Sequence, residues 1–369
     1  MSLSTSLENH FADLPDPREP SKCQHKLLDM VIIAVCATIA NADDWQGVVT
    51  FAQAKADWLG QWLDLPNGIP SHDTFERVFG KLDMAAFEAR FIAWTQDVFQ
   101  LTTGQVVAID GKTVRGSRGK GAFDKLHLVS AWATENGISL GQCKVDSKTN
   151  EITVIPELLE LLAVKGCIVT LDAMGCQTAI ARQIVDQEAD YVLAVKGNQG
   201  NLHKHIASAF IRADDERLNR HMAPPDVAQT QERGHGRLET RWCRVLPDDT
   251  LADWAGAQSI VELTCERRIG ERVARETRYF ITSLPPNASL LLGCIRAHWA
   301  IENSFHWVLD VVFGEDANPT QHQGRAQSLA VFRRMALNLL KRHPSKKSLR
   351  QKRYHAALKE QFLLEVLRS

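Results

Sequence analysis

Two aspartates, Asp110 and Asp172, each follow a short apolar run that predicts a buried strand, residues 105–109 and 167–171. In the sheet that the element order predicts, these strands are parallel neighbours, so both carboxylates emerge at one edge, where ligands of open α/β sheets gather. Two carboxylates held close together repel unless a cation lies between them, and oxygen ligands favour a hard divalent ion such as Mg²⁺. Either aspartate alone could be a turn residue, and helix capping is the main alternative for Asp172.

A third carboxylate would complete a two-metal site, and Glu302 is our candidate. It lies in a segment, 288–313, whose spacing predicts a helix. On a helical wheel the buried stripe consists of Ile301, Phe305, Val308 and Val312. The other side carries His298, Glu302, His306 and Asp310. The alternatives are that Glu302 is an ordinary exposed residue, or that Asp310, Glu315 or Asp316 is the third ligand.

Two other chemistries lack their motifs. Gly111 and Gly116 have the separation of a phosphate-binding loop, but Ser117 and Arg118 follow where that loop needs its lysine and hydroxyl. A His-Glu-x-x-His zinc motif is missing from the sequence. The sequence therefore favours neither an NTPase nor a zinc hydrolase.

The elements that would position the aspartates follow the order β-β-β-α-β-α-β-α. We predict strands at 105–109, 126–133, 138–145, 167–171 and 191–195, and helices at 151–164, 178–188 and 202–210. Strands joined by short turns pair antiparallel, whereas strands joined through helices run parallel. The prediction is an α/β fold, a mixed five-stranded sheet with helices on both faces, which is the element order of the ribonuclease-H-like fold.

The rest of the chain suggests flanking units. Residues 1–100 read as an N-terminal helical domain, a candidate for DNA binding, in which helices meeting near Asp83 form a helix-turn-helix or, preferably, a plain helical hairpin. The catalytic domain would comprise 101–213 and 286–340. Residues 214–285 read as a β-rich insertion, and 341–369 as a basic C-terminal tail.

Composition fits a globular protein, with 44% hydrophobic and 24% charged residues. The most apolar run, 30–42, is too short to span a membrane and indicates a core helix. Eight scattered cysteines, without a Cys-x-x-Cys pair, suggest free thiols in the cytoplasm. The net charge of −1 disfavours DNA binding, yet 333–369 holds eleven Lys and Arg against two Glu, and 112–125 holds five against one Asp. Such runs are either a solvated face or a DNA contact.

Seven motifs together resemble the DDE transposases of bacterial insertion sequences, in their H-repeat-associated branch. They are NGIPSHDTF at 67–75, AIDGK at 108–112, LDA at 171–173, VKGNQ at 195–199, HGR at 235–237, HWAIEN at 298–303 and HWVLDV at 306–311. The resemblance covers nearly the whole chain and implies a ribonuclease-H-like core with an inserted β-rich domain. It also implies that Asp110, Asp172 and Glu302 are the catalytic residues and bind two Mg²⁺ ions, for which Mn²⁺ can substitute.

The function that this resemblance implies is metal-dependent cleavage and strand transfer of an insertion-sequence element. The partners would be double-stranded DNA, both element ends and target, and a second copy of the chain on that DNA, with no membrane. The expected DNA contacts are Lys112, Arg115, Lys196, Asn198, Arg237 and Arg296. The alternatives are a catalytically silent DNA-binding protein derived from a transposase, and a nuclease that hydrolyses DNA without joining it.

The chain departs from related transposases around Glu302. Many carry a Tyr and an Arg before this glutamate and a Lys after it, where this sequence has Ile295, His298 and Leu309. The phosphate-binding role of that set therefore does not transfer, although Arg296 and His306 could substitute.

Overall fold

The N-terminal part of the protein is helical, as predicted. The computed structural model describes residues 4–117, 125–146, 150–218, 225–234, 236–318, 320 and 322–369. The first six α-helices are α1 (Thr5–Phe11), α2 (Leu27–Ile39), α3 (Trp45–Ala54), α4 (Ala56–Leu59), α5 (His72–Phe79) and α6 (Met84–Val98). Helix α2 is buried on nearly all sides, which confirms the core helix expected from its apolar run. Within the described ranges, no helix combines the length and apolar character that crossing a bilayer requires.

Side-chain caps begin three of these helices, α3, α5 and α6. The sequence predicts Asp43 or Asp44 as the cap of the first of them and, from its spacing to Glu76, Asp73 as the cap of the second. Asp44 accepts a hydrogen bond from the Gly47 amide at 2.7 Å and caps α3, as its position predicts. Helix α5 instead begins after Ser71, whose hydroxyl accepts from the Thr74 amide. Asp73, where we expect the cap of this helix, lies in its first turn.

The five predicted strands form one half of a larger sheet. They are β1 (Val106–Thr113), β2 (His127–Ala133), β3 (Ile138–Val145), β4 (Ile168–Leu171) and β5 (Asp190–Val195). Their order is β3-β2-β1-β4-β5; β1 pairs antiparallel with β2 and parallel with β4, as predicted. The helices between them are α7 (Glu151–Leu161) and α8 (Thr178–Asp186), and α9 (Gly200–Leu218) follows β5.

The predicted count of five strands was too low, because the sheet has nine strands among the described residues. The segment expected as a β-rich insertion supplies β6 (Asp226–Gly234), β7 (Arg237–Pro247), β8 (Ser259–Ile269) and β9 (Arg272–Thr282). Strand β9 pairs antiparallel with β5 from Val192↔Thr282 to Val195↔Tyr279, which continues the sheet as β5-β9-β8-β7-β6. The edge of β5 supplied unpaired backbone groups that β9 satisfies, and periodicity does not reveal such long-range pairing.

The C-terminal part of the chain is helical again, and its helices pack against both the N-terminal helices and the sheet. These are α10 (Ala288–Ile301), a π-helical turn (Glu302–His306), α11 (Trp307–Phe313), α12 (Gln323–Arg342), α13 (Leu349–Leu358) and α14 (Glu360–Arg368). Helix α12 is largely buried and packs against α2 and β3.

Part of the positive charge near the C-terminus has a structural role. Four of the eleven basic residues are buried: Arg333, Arg334, Lys352 and Arg353. The Lys352 ammonium donates to the carbonyls of Leu340 and His343, and the Arg353 guanidinium donates to the Thr38 carbonyl. All four side chains bind partners inside the protein, so the local excess of Lys and Arg overstates the charge available to DNA.

Candidate active site

Asp110 and Asp172 lie next to each other at the edge where β1 and β4 stop pairing. The parallel register ends with Ile109 opposite Leu171, and each aspartate is the next residue along its strand. Strand β1 does not end at Asp110; it runs on to Thr113 along β2. The sheet therefore brings the two carboxylates to one edge, as strand order predicts.

Asp172 belongs to a turn and does not cap a helix. Its Oδ1 atom accepts hydrogen bonds from the amides of Met174 at 2.9 Å and Gly175 at 3.2 Å. The following helix, α8, has Gln177 at its N-cap position. The Asn198 side chain, in the 3₁₀ turn that follows β5, donates to the Ala173 carbonyl at 2.7 Å and so holds the same turn. Among the described residues the Oδ2 atom of Asp172 has no hydrogen-bond partner and remains available to a ligand.

Asp110 contacts a buried histidine. The Nε2 atom of His306 lies 3.3 Å from Asp110 Oδ2, and His306 is only 4% exposed. The Nδ1 atom of this ring is buried and has no partner among the described residues. The helical wheel placed His306 with Glu302, opposite the buried stripe, on a face that also carries Trp299 and Leu309; the wheel did not predict that His306 is buried.

A π-helical turn interrupts this helix at Glu302–His306. In a regular α-helix, residues four apart advance by about 40° around the axis, which would spread His298, Glu302 and His306 over one face. The wider turn at Glu302–His306 changes this phase. His298 and His306 both face the strands: His298 Nδ1 lies 2.9 Å from the Thr170 hydroxyl of β4, and His306 meets Asp110 of β1.

The carboxylates of Asp110 and Asp172 both influence the pKa of His298. Burial lowers its pKa, against the opposing influence of the Asp110 and Asp172 carboxylates. The helix thus crosses both aspartate-bearing strands, with contacts on either side of Glu302. Sequence reasoning placed His298 and His306 near Glu302 by spacing and did not identify these contacts, because a helical wheel does not say which strands a helix face meets.

Glu302 itself is exposed and faces a neighbouring cleft. This cleft, of about 530 Å³, lies between the β7–β9 strands and the end of α10. Across the described ranges, no group of three His, Cys, Asp or Glu side chains is arranged so that it could hold a metal ion. The structure brings two of the predicted carboxylates together and leaves the third turned toward the cleft.

The cleft is rich in arginine, and most of these side chains are paired. Its arginines are Arg237, Arg241, Arg267, Arg278 and Arg296. Arg296 pairs with Glu232, and Arg237 lies 3.2 Å from Glu239. The Arg278 guanidinium stacks over the Trp299 ring, 4.5 Å from its centre. The predicted DNA contacts Arg237 and Arg296 thus share one surface with Glu302.

The other predicted DNA contacts have different surroundings. The Arg115 side chain is 83% exposed, with its nearest carboxylate on Asp316, and Lys196 is exposed at the end of β5. Asn198 uses its amide to hold the Asp172 turn, as described above. Lys112 is only 10% exposed and pairs with Asp310, Glu315 and Asp316, so its ammonium is not available to a phosphate.

The alternative candidates for the third metal ligand, Asp310, Glu315 and Asp316, are the acidic residues that pair with Lys112. Glu315 is fully buried and also pairs with Arg334 at 2.8 Å. Burial would raise the pKa of Glu315, but Arg334, Lys112 and Arg333 outweigh it and lower the pKa to about 2. Burial raises the pKa of Asp310 despite its contact with Lys112.

Four further residues bear on the sequence motifs. Ile295 and Leu309, at the positions where related enzymes carry Tyr and Lys, are buried and cannot contact DNA. At Gly111, between Asp110 and Lys112, a Cβ atom would collide with the Glu151 carboxylate, which would have to move. His235 of the HGR motif lies outside the described residues.

Two protein-family models match this chain. The family "DDE_Tnp_1-associated" matches residues 8–95, and "Transposase DDE domain" matches residues 101–339. The second match alone covers more than half of the chain and contains all three candidate carboxylates.

Individual relatives agree with these families over the full length. The chain is 42% identical to "Putative transposase YncI" of Escherichia coli O157:H7, over 99% of this chain and 95% of that protein. It is 38% identical to "H repeat-associated putative transposase YhhI" of Escherichia coli K12, over 100% of this chain and 98% of that protein. A solved piggyBac transposase synaptic complex with hairpin DNA aligns with 97% of this chain and 76% of that one, at 10% identity and a TM-score of 0.38, which is too weak a likeness to support an argument.

Proposed function

Because the chain belongs to the DDE transposases, in their H repeat-associated branch, we propose that it cuts and rejoins DNA at the ends of an insertion-sequence element. The observation that carries this proposal is the register that ends at Ile109↔Leu171 and brings Asp110 and Asp172 side by side beneath the Glu302 helix. The five strands β3-β2-β1-β4-β5, in this order, support a ribonuclease-H-like core within the larger sheet.

The candidate ligands fit a hard divalent ion. Asp172 Oδ2 and Asp110 Oδ1 accept no hydrogen bond among the described residues, and the Glu302 carboxylate is exposed and unpaired there. All three supply oxygen atoms, the donors that Mg²⁺ prefers. When bound, two Mg²⁺ ions, or Mn²⁺ in their place, supply activation of the attacking oxygen and stabilisation of the leaving oxygen. Glu302 would have to turn from the cleft toward the aspartates to take part.

The DNA would lie along the arginine-lined cleft beside Glu302. Arg237 and Arg296 line it, and Arg115 and Lys196 are exposed near the strand ends. Arginine forms bidentate contacts with phosphate, which would hold the backbone in register with the carboxylates. Water would attack first and free a 3′-hydroxyl, which would then attack target DNA without a covalent protein intermediate.

The proposed partners are double-stranded DNA and a second copy of this chain. Both element ends must be held together for joining, which favours a homodimer on DNA. We place the protein in the cytoplasm, which is consistent with the eight cysteines being free thiols.

The test is cleavage and joining of element-end DNA with Mg²⁺ by the wild type and by Asp110→Asn, Asp172→Asn and Glu302→Gln. We expect each substitution to lower the nicking rate by about 1,000-fold, since a metal's contribution is several kcal/mol. Wild-type nicking by any one variant would remove that residue from the site.

The same assay separates the alternatives. A silent DNA-binding protein, favoured by the absence of a ready metal cluster among the described residues, would bind element ends and never nick them. A hydrolytic nuclease would nick DNA and form no joined product.

A further inference from the structure

We infer that Lys112 is a positioning residue that seats the Glu302 helix on the strand carrying Asp110. The inference rests on the proposed function, because it concerns where Glu302 stands relative to the two aspartates. Lys112 was expected to contact DNA; its surroundings give it this different role.

The first argument is a two-step ladder between β1 and the helix. Asp110 and Lys112 are two residues apart on β1 and therefore face the same side of the sheet. His306 and Asp310 are four residues apart and lie one above the other on the helix. Asp110 meets His306 at 3.3 Å, and Lys112 meets Asp310. Two successive contacts fix both the distance and the direction of the helix along the strand.

The second argument is that the ion pairs of Lys112 are buried. Besides Asp310, the Lys112 ammonium lies 3.2 Å from Glu315 and 3.6 Å from Asp316. Glu315 is fully buried and pairs with Arg334 of α12, which is also fully buried. Charges interact strongly where water is excluded. Lys112 therefore joins β1, α11, the segment after α11 and α12 at one point.

The third argument is the mechanical link to Glu302. Glu302 and Asp310 belong to one continuous helical segment, joined through the π turn. Its other side is held by the contact of His298 with Thr170. With α11 fixed by Lys112 and α10 by His298, the π turn between them is the part left to adjust when Glu302 turns toward the aspartates.

The test compares Lys112→Met with a matched control, Lys55→Met. Lys55 also forms a partly buried pair between distant elements, with Glu360 at 3.0 Å and 19% side-chain exposure, and it belongs to no part of the candidate site. The first measurement is amide hydrogen exchange over 302–313 in the metal-free protein. The second is Mn²⁺ affinity, measured by electron paramagnetic resonance on the full chain.

For Lys112→Met we expect exchange over 302–313 to become at least about tenfold faster, because the helix loses its anchor. Mn²⁺ binding should weaken about 10- to 100-fold, the usual effect of removing a residue that orients ligands. Lys55→Met should change neither. If Lys112→Met does not fold, Asp310→Asn removes the helix partner and should give the same two results.

Unchanged exchange over 302–313 would overturn the inference, and so would faster exchange with unchanged Mn²⁺ affinity, because the role would then be structural alone. If the wild type binds no Mn²⁺ that depends on Asp110 and Asp172, the proposed function fails together with the inference. The wild-type titration thus distinguishes the two failures.

Discussion

Helix α12 contacts two buried glutamates whose pKa values are shifted in opposite directions. Near its start, Gln327 donates to Glu88 of α6 at 3.0 Å; two turns later, Arg334 pairs with Glu315 at 2.8 Å. Burial raises the pKa of Glu88 to about 7, and the amides of Gln327 and Gln142 offset this only in part. The pKa of Glu315 is instead lowered to about 2 by Arg334, Lys112 and Arg333, against the influence of burial.

The difference shows that the partner, more than burial, sets the charge of a buried carboxyl group. The Glu315 cluster, in which Glu315 pairs with Lys112 and Arg334, lies beside the candidate active site. Through Lys112 it also holds α11 in place. The Glu88 cluster joins the N-terminal helices to β3 through neutral amides. The Oε1 atom of Gln142 is buried without a partner among the described residues, so a protonated Glu88 could donate to it.

The largest expected effect comes from removing the charge of Glu315. Glu315→Gln leaves Lys112 and Arg334 short of a carboxylate, and we expect the free energy of unfolding at pH 7 to fall by about 3–5 kcal/mol. The measurement is urea unfolding, with Glu88→Gln as the matched control, since the same chemical change there removes no stabilising charge. Equal losses in the two variants would contradict the comparison.

The second prediction concerns how the free energy of unfolding changes between pH 5 and pH 8. An unfolded glutamate ionises near its ordinary pKa of 4.5, whereas folded Glu88 ionises near 7. The contribution of this group is therefore fully present below about pH 4.5 and is lost as pH rises to about 7, by up to about 3 kcal/mol. Glu88→Gln should remove this loss, so the variant should gain stability relative to the wild type between pH 5 and pH 8. A constant difference across that range would refute the raised pKa.

The third prediction has the opposite sign. Because the folded pKa of Glu315 is about 2, its contribution is present above about pH 4.5 and is lost as pH falls toward 2, by about 2–3 kcal/mol. Acid unfolding followed by circular dichroism should show this loss in the wild type. Glu315→Gln, starting from lower stability, should show a shallower acid dependence; a parallel curve would argue against the ion pair.

Strand order was predictable because local connections decide it. The four-residue connection between β2 and β3 makes these strands antiparallel, and helices connect the strands that follow, which is the element order from which we predicted that Asp110 and Asp172 meet. The pairing of β9 with β5 was not predictable in this way, since strands far apart in sequence find each other through tertiary packing.

The helical side of the site was harder to predict than the strand side. A helical wheel assumes a constant phase, and the π turn at Glu302–His306 breaks that assumption where it matters. Similarly, the spacing of Lys112 after Asp110 is compatible with either a DNA contact or a buried ion pair. Only the positions of Asp310, Glu315 and Asp316 in the fold distinguish the two.

The smallest expected effect concerns Glu88 and the neutral amide groups that bind it. Gln327→Met removes one hydrogen bond to Glu88, which should cost about 1 kcal/mol of unfolding free energy. The Gln327 amide stabilises the charged form of the Glu88 carboxylate. Removing this amide should therefore raise the pKa of Glu88 further and move the pH-dependent loss of stability to higher pH. The measurement is urea unfolding at closely spaced pH values from 5 to 9, compared with Gln46→Met, which replaces an exposed glutamine of α3. A window that stays in place would mean that Gln142, the other amide donor, sets the ionisation of Glu88.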